Sequence, residues 1–377
     1  MKEQVISSFI TALNGGGAQK VVVNLANALV ELTDRPIHIV LARSEGEFID
    51  EVRAEVKSID PGKGRASRSI SALERYLREV HPAVLCSSLD YANVCAVLAW
   101  QLTGPLCRLV VREDNVVRVP NGGLRSFFRS SATQGLMRLF YPRANAVVAI
   151  SEAVACTLSD RNIFRQSQIR VIGNPITLKV DRESSSAEQL PALSKRDYIC
   201  AIGRLAEAKD FDALLQAFAL MRGQNVDLVI LGEGPLRAEL TKQAERLGIA
   251  DRVHMPGFVS EPERVLSRAM LFVLSSRWEG FGNALVEALA TGVPIVSTDC
   301  PGAPRSLLRD GALGHLVPVD EPEALARAIA EALHSPRGTR EARQARAGEF
   351  AAPTIARQYL KEAFGLEACA RAGSRDS

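Results

Sequence analysis

Paired cysteines and long apolar runs are both absent from this sequence. Its seven cysteines are scattered, with no C-x-x-C pair and no histidine cluster nearby, which argues against a zinc site or a disulfide framework. No stretch reaches the roughly 18 uninterrupted apolar residues of a membrane-spanning helix. The first ten residues, MKEQVISSFI, contain an acidic residue and no long apolar core, so we expect a strand there rather than a secretory signal. These absences favour a protein of the reducing cytoplasm.

Aromatic residues are few, at 5% of the chain, while hydrophobic residues make up 47% and charged residues 24%. That balance is typical of a soluble globular protein and excludes the disordered and fibrous classes. The length of 377 residues favours two domains of ordinary size. The net charge of +3 hides an asymmetry, because residues 1–175 hold 21 Lys and Arg against 16 Asp and Glu, and the rest hold 25 against 27. The basic excess therefore lies in the first half.

Alternating strand and helix patterns run through both halves of the sequence. Apolar runs such as IHIVLA and VDLVILGEG alternate with amphipathic stretches such as ISALERYLREV, a pattern that predicts doubly wound parallel sheets. The alternation stops in a polar, serine-rich stretch, DRESSSAEQLPALSKRD, which we interpret as a linker. The predicted fold is therefore α/β, with two Rossmann-like domains at 1–175 and 197–350 and a linker at 176–196.

A glycine-rich turn, Gly15-Gly16-Gly17, follows the first predicted strand and precedes a helix. Backbone amides at such a turn can bind a phosphate, although a plain tight turn is the alternative. A dinucleotide fingerprint would need a glycine where Lys20 stands, and the second strand ends at Arg43 rather than at an acidic residue. An NADP dehydrogenase is thus disfavoured, and the lack of a G-K-[ST] sequence excludes a P-loop.

Two cations follow a predicted strand in the second half. Arg204 and Lys209 lie in AIGRLAEAKD, just before a helix, where a guanidinium fork and an ammonium group would suit a diphosphate. A pair of solvated surface cations is the alternative. The turn LGEGPLR also joins a strand to a helix, and its glycines would let a ligand approach the backbone. A simple turn explains that segment equally well.

Two glutamates flank a Gly-Phe-Gly elbow in the segment SSRWEGFGNALVEALATG. We expect Glu279 at the end of a strand, at the carboxyl edge where open sheets bind ligands. The elbow would point the first amides of the next helix outward, toward phosphate or sugar oxygens. Glu287 lies within that helix among apolar neighbours, where two ribose hydroxyls would satisfy its carboxylate. In the alternative, Glu279 caps the helix and Glu287 faces water.

Taken together, these segments resemble the retaining glycosyltransferases of family 4. The segment EGFGNALVE has their E-x7-E form, and it stands in order with NGGGAQKVVVNLANAL, AISEAV, VIGNPI, AIGRLAEAKDFDALLQAF, LVILGEGPLR, VHMPGFV and ATGVPIVSTDCPGAPRSL. The resemblance covers most of the chain and is densest over residues 198–332. It implies the GT-B fold, in which two Rossmann-like doubly wound domains face a central cleft.

The resemblance also implies roles for the residues at matching positions. Glu279 would contact the donor sugar and Glu287 the ribose hydroxyls. Arg204 and Lys209 would bind the diphosphate. The remaining donor contacts would come from glycine-rich turns and loop residues: Gly16, Gly17, Phe281, Gly282 and Asn283 for phosphate or sugar, and Gly257, Phe258 and Val259 for the base. The donor is expected to be a UDP-sugar, with no metal ion or other cofactor required.

The implied reaction is transfer with retention of configuration, in which helix amides, Arg204 and Lys209 neutralise the leaving diphosphate. The acceptor hydroxyl would attack from the same face, so no enzyme nucleophile is needed. Many relatives carry a histidine in a first-domain loop where this sequence has VVREDNVVR. Asp114 is the nearest equivalent and our candidate for that catalytic position. A local ion-pair cluster of Arg112, Glu113 and Asp114 is the alternative.

The acceptor is expected to bind the first domain, where the basic excess lies. Residues 118–141 mix arginines with aromatic and aliphatic residues and contain no acidic residue, as do stretches that lie on anionic membranes. We therefore predict a cytoplasmic protein attached peripherally to the inner face of the membrane, with a saccharide or lipid-linked saccharide as acceptor. An ordinary core helix is the alternative for 118–141. A C-terminal helix at 353–370 is expected to pack back on the first domain.

Two other functions stay open from the sequence. A nucleotide-sugar epimerase of the same fold would need acid and base residues, and no strong cluster is evident beyond Glu279 and Asp114. A non-catalytic nucleotide-sugar-binding subunit would carry the same donor-binding residues. Nucleic acid is not an expected partner, because the cations are local.

Overall fold

The structure is a computed structural model that describes most of the chain. The described residues are 4–14, 16–43, 45–60, 69–114, 135, 139–160, 164–178, 196–221 and 225–368. By their contacts the residues divide into two units. The first unit combines residues up to Thr177 with those from Phe350 onward, and the second is Leu178–Glu349.

The first unit is built on a seven-stranded sheet in which every strand pair is parallel. Its strands are β1 Ile6–Ile10, β2 Ile37–Leu41, β3 Val56–Ile59, β4 Val84–Ser88, β5 Arg108–Glu113, β6 Ala146–Ala149 and β7 Ile169–Val171. The order across the sheet is β3-β2-β1-β4-β5-β6-β7. Among the described residues before the second unit, its helices of regular length are α1 Gly17–Leu32, α2 Ser69–Val80, α3 Asp90–Leu102 and α4 Glu152–Asp160. Strands β1, β2 and β4 are buried along their whole length, as in parallel sheets covered on both faces.

The first unit is completed by a segment that follows the second unit in the chain. Helix α12, Ala352–Gln358, packs on α1 and continues into a π-helical stretch, Tyr359–Phe364. Apolar side chains of this segment belong to the same buried core as β1, β2 and β4. The Arg108 Nε–H of β5 donates to the Ala363 carbonyl over 2.7 Å. The first and last parts of the chain therefore share one core.

The second unit repeats the same architecture with six parallel strands. They are β8 Tyr198–Ile202, β9 Asp227–Leu231, β10 Val253–Gly257, β11 Leu271–Leu274, β12 Ile295–Thr298 and β13 His315–Val317, in the order β10-β9-β8-β11-β12-β13. The helices are α5 Phe211–Leu220, α6 Arg237–Arg246, α7 Pro262–Leu266, α8 Asn283–Thr291, α9 Pro304–Leu307, α10 Pro322–His334 and α11 Arg340–Gly348. This strand order is that of the dinucleotide-binding Rossmann fold.

The predicted α/β class with two Rossmann-like, doubly wound domains is confirmed. The predicted end of a strand at Glu279 was wrong, because β11 ends at Leu274 and Glu279 lies in the following loop. Of the predicted linker 176–196, only residues 176–178 and Arg196 are described. The predicted membrane-contact stretch 118–141 also lies outside the described residues, apart from Gly135 and 139–141.

Two findings bear on the composition of the chain. The six cysteines in the described residues are free thiols. Within the same residues, every helix is too short or too polar to traverse a lipid bilayer.

Candidate active site

The carboxyl edge of the second-unit sheet brings the loops after β8, β11 and β12 together. Strand β8 pairs with β9 on one side and with β11 on the other, so the order in which successive strands are placed across the sheet reverses there. Open parallel sheets bind ligands at this kind of switch point, outside the carboxyl ends of the strands. The loops after β8 and β11 carry Arg204, Lys209 and Glu279.

Lys209 and Glu279 form an ion pair across the two neighbouring loops. Lys209 is the last residue of a short 3₁₀ turn, Glu207–Lys209, and its Nζ lies 2.5 Å from Glu279 Oε1. The Ser276 hydroxyl donates to the same carboxylate oxygen over 2.6 Å. Glu279 is only 8% exposed, and a carboxylate so buried is stabilised when charged donors surround it. The pair gives this edge a fixed ammonium and a fixed carboxylate side by side.

The Cys300 thiol lies beside this pair but is not a nucleophile. Burial raises the pKa of Cys300 to about 12, and the nearby Glu279 carboxylate adds to the increase. A thiol with that pKa is uncharged at neutral pH, and only the thiolate reacts as a nucleophile. The Cys300 thiol therefore does not offer covalent catalysis at this edge.

Gly302, in the turn after β12, lets the backbone of Glu279 sit against the neighbouring loop. Its φ is +136°, and a Cβ built on it would lie 1.9 Å from the Glu279 carbonyl oxygen. The Glu279 amide also donates to the Pro301 carbonyl over 2.9 Å. Only glycine fits this backbone conformation and this short distance to the Glu279 carbonyl. The turn after β12 therefore fixes the backbone position of Glu279.

Helix α8 starts next to Glu279 and opens toward the same edge. Its N-cap is Gly282, in the left-handed region with φ 95°, and no side chain caps the helix. The alternative in which Glu279 caps the helix is therefore wrong. The first amides of a helix have no acceptor within it, and the helix dipole makes them an anion site. Phe281 is buried, whereas Asn283 and Glu287 are partly exposed.

The other residues predicted to bind the donor lie at the same edge of the second sheet. Arg204 follows β8 and is exposed. Gly257 is the last residue of β10. Its carbonyl accepts a hydrogen bond over 2.7 Å from the N–H of Gly232, in the loop after β9. Phe258 is 51% exposed, and Val259 is partly buried. The loops after β8, β10 and β11, together with the end of β10 and helix α8, thus hold all the donor residues predicted in the second half.

The glycines of the first unit start helix α1 at the carboxyl end of β1. Gly16 is the N-cap and Gly17 the first helical residue. Lys20, which stands where a dinucleotide fingerprint would have glycine, pairs with Glu51. Its ammonium also lies 5.1 Å from the centre of the Phe48 ring. The cation of Lys20 is therefore already engaged within the unit.

Asp114 follows β5 and is part of a buried ion pair, as the ion-pair alternative predicted. The Arg112 guanidinium lies 2.6 Å from Asp114 Oδ1 and donates to Asn174 Oδ1 over 2.7 Å. Burial raises the pKa of the Asp114 carboxyl, whereas the neighbouring Arg112 lowers it. The second oxygen, Asp114 Oδ2, has no hydrogen-bond partner among the described residues.

Sequence reasoning missed several residues that support these side chains. In the first unit, Glu113 is buried beside Asp90, and burial followed by the Asp90 charge raises its pKa to about 8. In the second unit, Asp210, Ser276 and Arg277 contact the Lys209 and Glu279 loops. Ser276 and Arg277 stand three and two residues before Glu279 in the sequence, and that closeness is the one signal that would have indicated them.

No group of three or more His, Cys, Asp or Glu side chains suited to a metal ion occurs in the part of the chain that the structure describes.

Comparison with family models matches both halves of the chain. The model described as Glycosyltransferase Family 4 matches residues 15–180, and the model described as Glycosyl transferases group 1 matches residues 183–350. The chain belongs to the GT-B glycosyltransferases. In this glycosyltransferase, the first match falls on the unit that carries Gly16 and Asp114, and the second on the unit that carries Lys209 and Glu279.

Two bacterial glycosyltransferases are among the named relatives of this chain. A Campylobacter jejuni protein named N-acetylgalactosamine-N,N'-diacetylbacillosaminyl-diphospho-undecaprenol 4-alpha-N-acetylgalactosaminyltransferase is 26% identical over 96% of this chain and 100% of its own length. The lipopolysaccharide core biosynthesis glycosyltransferase LpsE of Rhizobium meliloti is 31% identical over 60% of this chain and 63% of its own.

Solved structures share the fold of the glycosyltransferase. The Anabaena protein HepE in complex with UDP and glucose has a TM-score of 0.80 at 20% identity, covering 96% of this chain and 100% of its own. Sucrose-phosphate synthase from Thermosynechococcus elongatus has a TM-score of 0.79 at 19% identity, covering 95% of this chain and 98% of its own.

Proposed function

We propose that this glycosyltransferase transfers a hexose or N-acetylhexosamine from a UDP-sugar to a saccharide or lipid-linked saccharide, with retention of configuration. The observation that carries the proposal is the partly buried Lys209–Glu279 pair beside the N-terminus of α8, which no side chain caps. A cation and helix amides at one sheet edge suit a diphosphate, and a neighbouring carboxylate suits sugar hydroxyls. The complex of HepE with UDP and glucose supports UDP as the nucleotide.

In this proposal each donor group meets a different part of the second-unit edge. Arg204, Lys209 and the amides at 281–283 bind the diphosphate. Glu279 accepts hydrogen bonds from the sugar, and Glu287 accepts them from the ribose hydroxyls. The exposed ring of Phe258, with Gly257 and Val259, borders the base. From the first unit, Gly16 and Gly17 contribute backbone amides to the phosphates.

The proposed chemistry breaks one bond and forms one. The bond between the sugar C1 and the diphosphate oxygen breaks, and the electron pair leaves with the diphosphate, where Arg204 and Lys209 offset the developing charge. The acceptor oxygen bonds to C1 from the same face, and its proton passes to the leaving phosphate oxygen. Neither a metal ion nor another cofactor takes part. Asp114, through its unpartnered Oδ2, holds a hydroxyl of the transferred sugar.

The acceptor in this proposal is a saccharide carried on a polyprenyl diphosphate, bound by the first unit. The name of the Campylobacter jejuni relative describes transfer to a diphospho-undecaprenol-linked saccharide. The basic excess of residues 1–175 suits a phosphorylated acceptor at an anionic surface. The enzyme then works in the cytoplasm, attached at the inner face of the membrane through 118–141.

The direct test measures UDP release from four donors: UDP-glucose, UDP-galactose, UDP-N-acetylglucosamine and UDP-N-acetylgalactosamine. Each is supplied with a synthetic polyprenyl-diphosphate-linked N-acetylhexosamine disaccharide. We expect acceptor-dependent UDP release with one donor, and an α-linked product by NMR. A β-linked product would contradict retention. UDP binding by calorimetry without any turnover would instead favour a non-catalytic binding subunit.

Two variants test the donor-binding residues. Lys209→Ala is expected to slow transfer by one or two orders of magnitude, the usual loss for one electrostatic contact to a leaving group. Glu287→Ala is expected to weaken UDP binding, because its carboxylate no longer accepts from the ribose. Arg309→Gln, an exposed residue paired with Glu349, serves as the control and should behave like the wild type. Unchanged kinetics and UDP affinity in both variants would refute these assignments.

A further inference from the structure

The loop that carries Glu279 also holds the turn that carries Lys209. The Arg277 amide donates to the Ala208 carbonyl over 2.9 Å, and the Ser275 hydroxyl donates to the Lys209 carbonyl over 2.7 Å. With the Lys209–Glu279 ion pair, these contacts tie the two loops together at both backbone and side-chain level. The position of the Lys209 ammonium therefore depends on residues of the other loop.

Asp210, the residue after Lys209, has an unusual environment for a carboxylate. Its backbone is left-handed, with φ 46° and ψ 47°, a conformation that costs free energy for any residue with a side chain. The residue is only 4% exposed. Burial raises the pKa of Asp210, and the charge of Arg277 acts against that increase. A buried carboxylate in a strained turn needs a cation to hold it in place.

Arg277 supplies that cation. Its Nε lies 3.2 Å from Asp210 Oδ2 and 2.8 Å from Asp320 Oδ1. In the described part of the chain, Arg277 is the only cation within ion-pair distance of Asp210. Asp320 is 61% exposed at its side chain, so Asp210 is the partner whose charge would be left uncompensated without Arg277.

We propose that Arg277 is a positioning residue for Lys209: its backbone and guanidinium hold the turn Glu207–Asp210 so that the ammonium meets the leaving diphosphate. This inference rests on the proposed function of Lys209. Arg277 itself touches no reacting atom, and its contribution to the rate passes through Lys209. A one-ångström displacement of a catalytic group is enough to slow a reaction strongly, so the effect should fall on kcat.

The experiment is a double-mutant cycle on kcat for UDP release and on the UDP dissociation constant. It compares the wild type, Arg277→Gln, Lys209→Ala and the double variant. Arg277→Gln is expected to lower kcat about tenfold, with KM for the donor changed less than twofold. In the Lys209→Ala background it is expected to lower kcat no further. Arg277→Lys, which keeps the charge, should restore kcat to within about threefold of the wild type.

Arg264→Gln is the matched control. Arg264 is exposed to a similar extent, 29% against 34%, and pairs with Glu261 on the surface of the same unit. It should have wild-type kcat and KM. If Arg277→Gln fails to fold, Asp210→Asn takes its place in the cycle, because it breaks the same ion pair without leaving a buried charge, and the same results are expected.

Two results would overturn the inference. Losses in kcat that multiply in the double variant would mean that Arg277 acts independently of Lys209. Weaker UDP binding caused by Arg277→Gln in the Lys209→Ala background would mean that Arg277 contacts the diphosphate itself. A wild-type protein that neither binds UDP nor releases it from any donor would refute the proposed function and this inference together. An active wild type with multiplying losses would refute the inference alone.

Discussion

Two buried glutamates have opposite kinds of neighbours. Glu279 has the Lys209 ammonium and the Ser276 hydroxyl on one oxygen. Glu113 has Asp90 and Asp114 nearby instead, and burial with these charges raises its pKa to about 8. At neutral pH, Glu113 therefore carries a proton, whereas Glu279 is set up to accept hydrogen bonds.

The protonated Glu113 predicts a pH dependence of stability for the first unit. Its pKa is about 8 in the folded chain against the ordinary glutamate value of 4.5, so the folded state binds more protons than the unfolded state between these values. Stability from this group is fully present below pH 4.5 and is lost as the pH rises to 8, by at most about 1.4 kcal/mol per pH unit. Glu113→Gln should remove this loss.

Urea unfolding at pH 5, 6, 7 and 8 measures the effect. The chain has two tryptophans, Trp100 in the first unit and Trp278 in the second, so a Trp278→Phe background leaves Trp100 to report the first unit. The free energy of unfolding should fall more steeply with pH in the background protein than in its Glu113→Gln derivative. Parallel pH profiles would show that Glu113 is ionised in the folded chain.

Gly302 predicts a loss of activity from adding a single methyl group. Gly302→Ala would place its Cβ 1.9 Å from the Glu279 carbonyl oxygen, and backbone at that distance has to move. We expect kcat to fall by at least about tenfold, because Glu279 shifts with it. Gly104→Ala is the control, since Gly104 also has positive φ, +63°, but a Cβ there meets nothing within 4 Å. Equal activities for the two variants would contradict the prediction.

At the scale of whole elements, helix α8 is held at its C-terminal end by α11. The Arg343 Nε–H donates to the Gly292 carbonyl over 3.1 Å. The Arg340 Nη2–H donates to the Thr291 carbonyl over 2.9 Å. Gln344 donates to the Ala290 carbonyl over 3.3 Å. Cations at a helix C-terminus stabilise its dipole. The helix whose N-terminus faces the proposed donor is thus anchored at its far end.

Arg343 is the buried residue among those that anchor α8, and replacing it should destabilise the second unit. Arg343 is 4% exposed and also donates to the Arg337 and Gly338 carbonyls. Arg343→Ala removes these hydrogen bonds and leaves the carbonyl of the buried Gly292 without its guanidinium donor, at a cost of about 2 to 4 kcal/mol. Arg340→Ala, on a partly exposed side chain, should cost less than about 1 kcal/mol. Urea unfolding followed by Trp278 in a Trp100→Phe background compares them, and equal losses would show that burial is not the cause.

Elements with strong apolar runs could be predicted from the sequence, and short or uniform ones could not. The buried strands β2, β9 and β11 appear as continuous apolar segments between turn residues. Strand β3 has only four residues, VKSI, and β7 only three, IRV, too few to show a period. Helix α3, DYANVCAVLAWQL, is buried on most of its surface, so its sequence lacks the one-sided pattern of a surface helix.

The candidate site also has a part that could be predicted from the sequence and a part that could not. The E-x7-E segment and the two cations stand in recognisable sequence contexts, so their residues could be named in advance. The contact of Arg277 with Asp210 joins residues that only the pairing of β8 with β11 brings together. Each of these residues stands close to a candidate site residue in the sequence, but nothing local in the sequence indicates that they contact each other.

For the whole molecule, the segment after the second unit completes the core of the first. Phe364 is 2% exposed and packs edge to face on Tyr359, with ring centroids 5.7 Å apart. Arg112, which holds Asp114, lies next to Tyr359. The end of the described chain therefore supports both the core and a candidate site residue of the first unit.

Phe364→Ala should destabilise the first unit and leave the second unchanged. Truncating a buried phenylalanine costs about 3 to 5 kcal/mol. The Trp100 transition in urea should move to lower concentration, while the Trp278 transition stays in place. Lys361→Ala, an exposed residue of the same turn, is the control and should move neither. A shift of both transitions would mean that the two units unfold together.

The split core has a consequence for the order of folding during synthesis. The second unit is one continuous stretch, so it can fold as soon as that stretch has left the ribosome. The first unit begins to emerge earlier but waits for Ala352–Phe364, on the order of 10 to 30 s later at ordinary rates of translation. Throughout that interval the apolar side chains of α1 that Ala352–Phe364 covers are left exposed. The first unit is therefore synthesised first but completes its core last, and during the delay its exposed apolar surface is a site for chaperone binding.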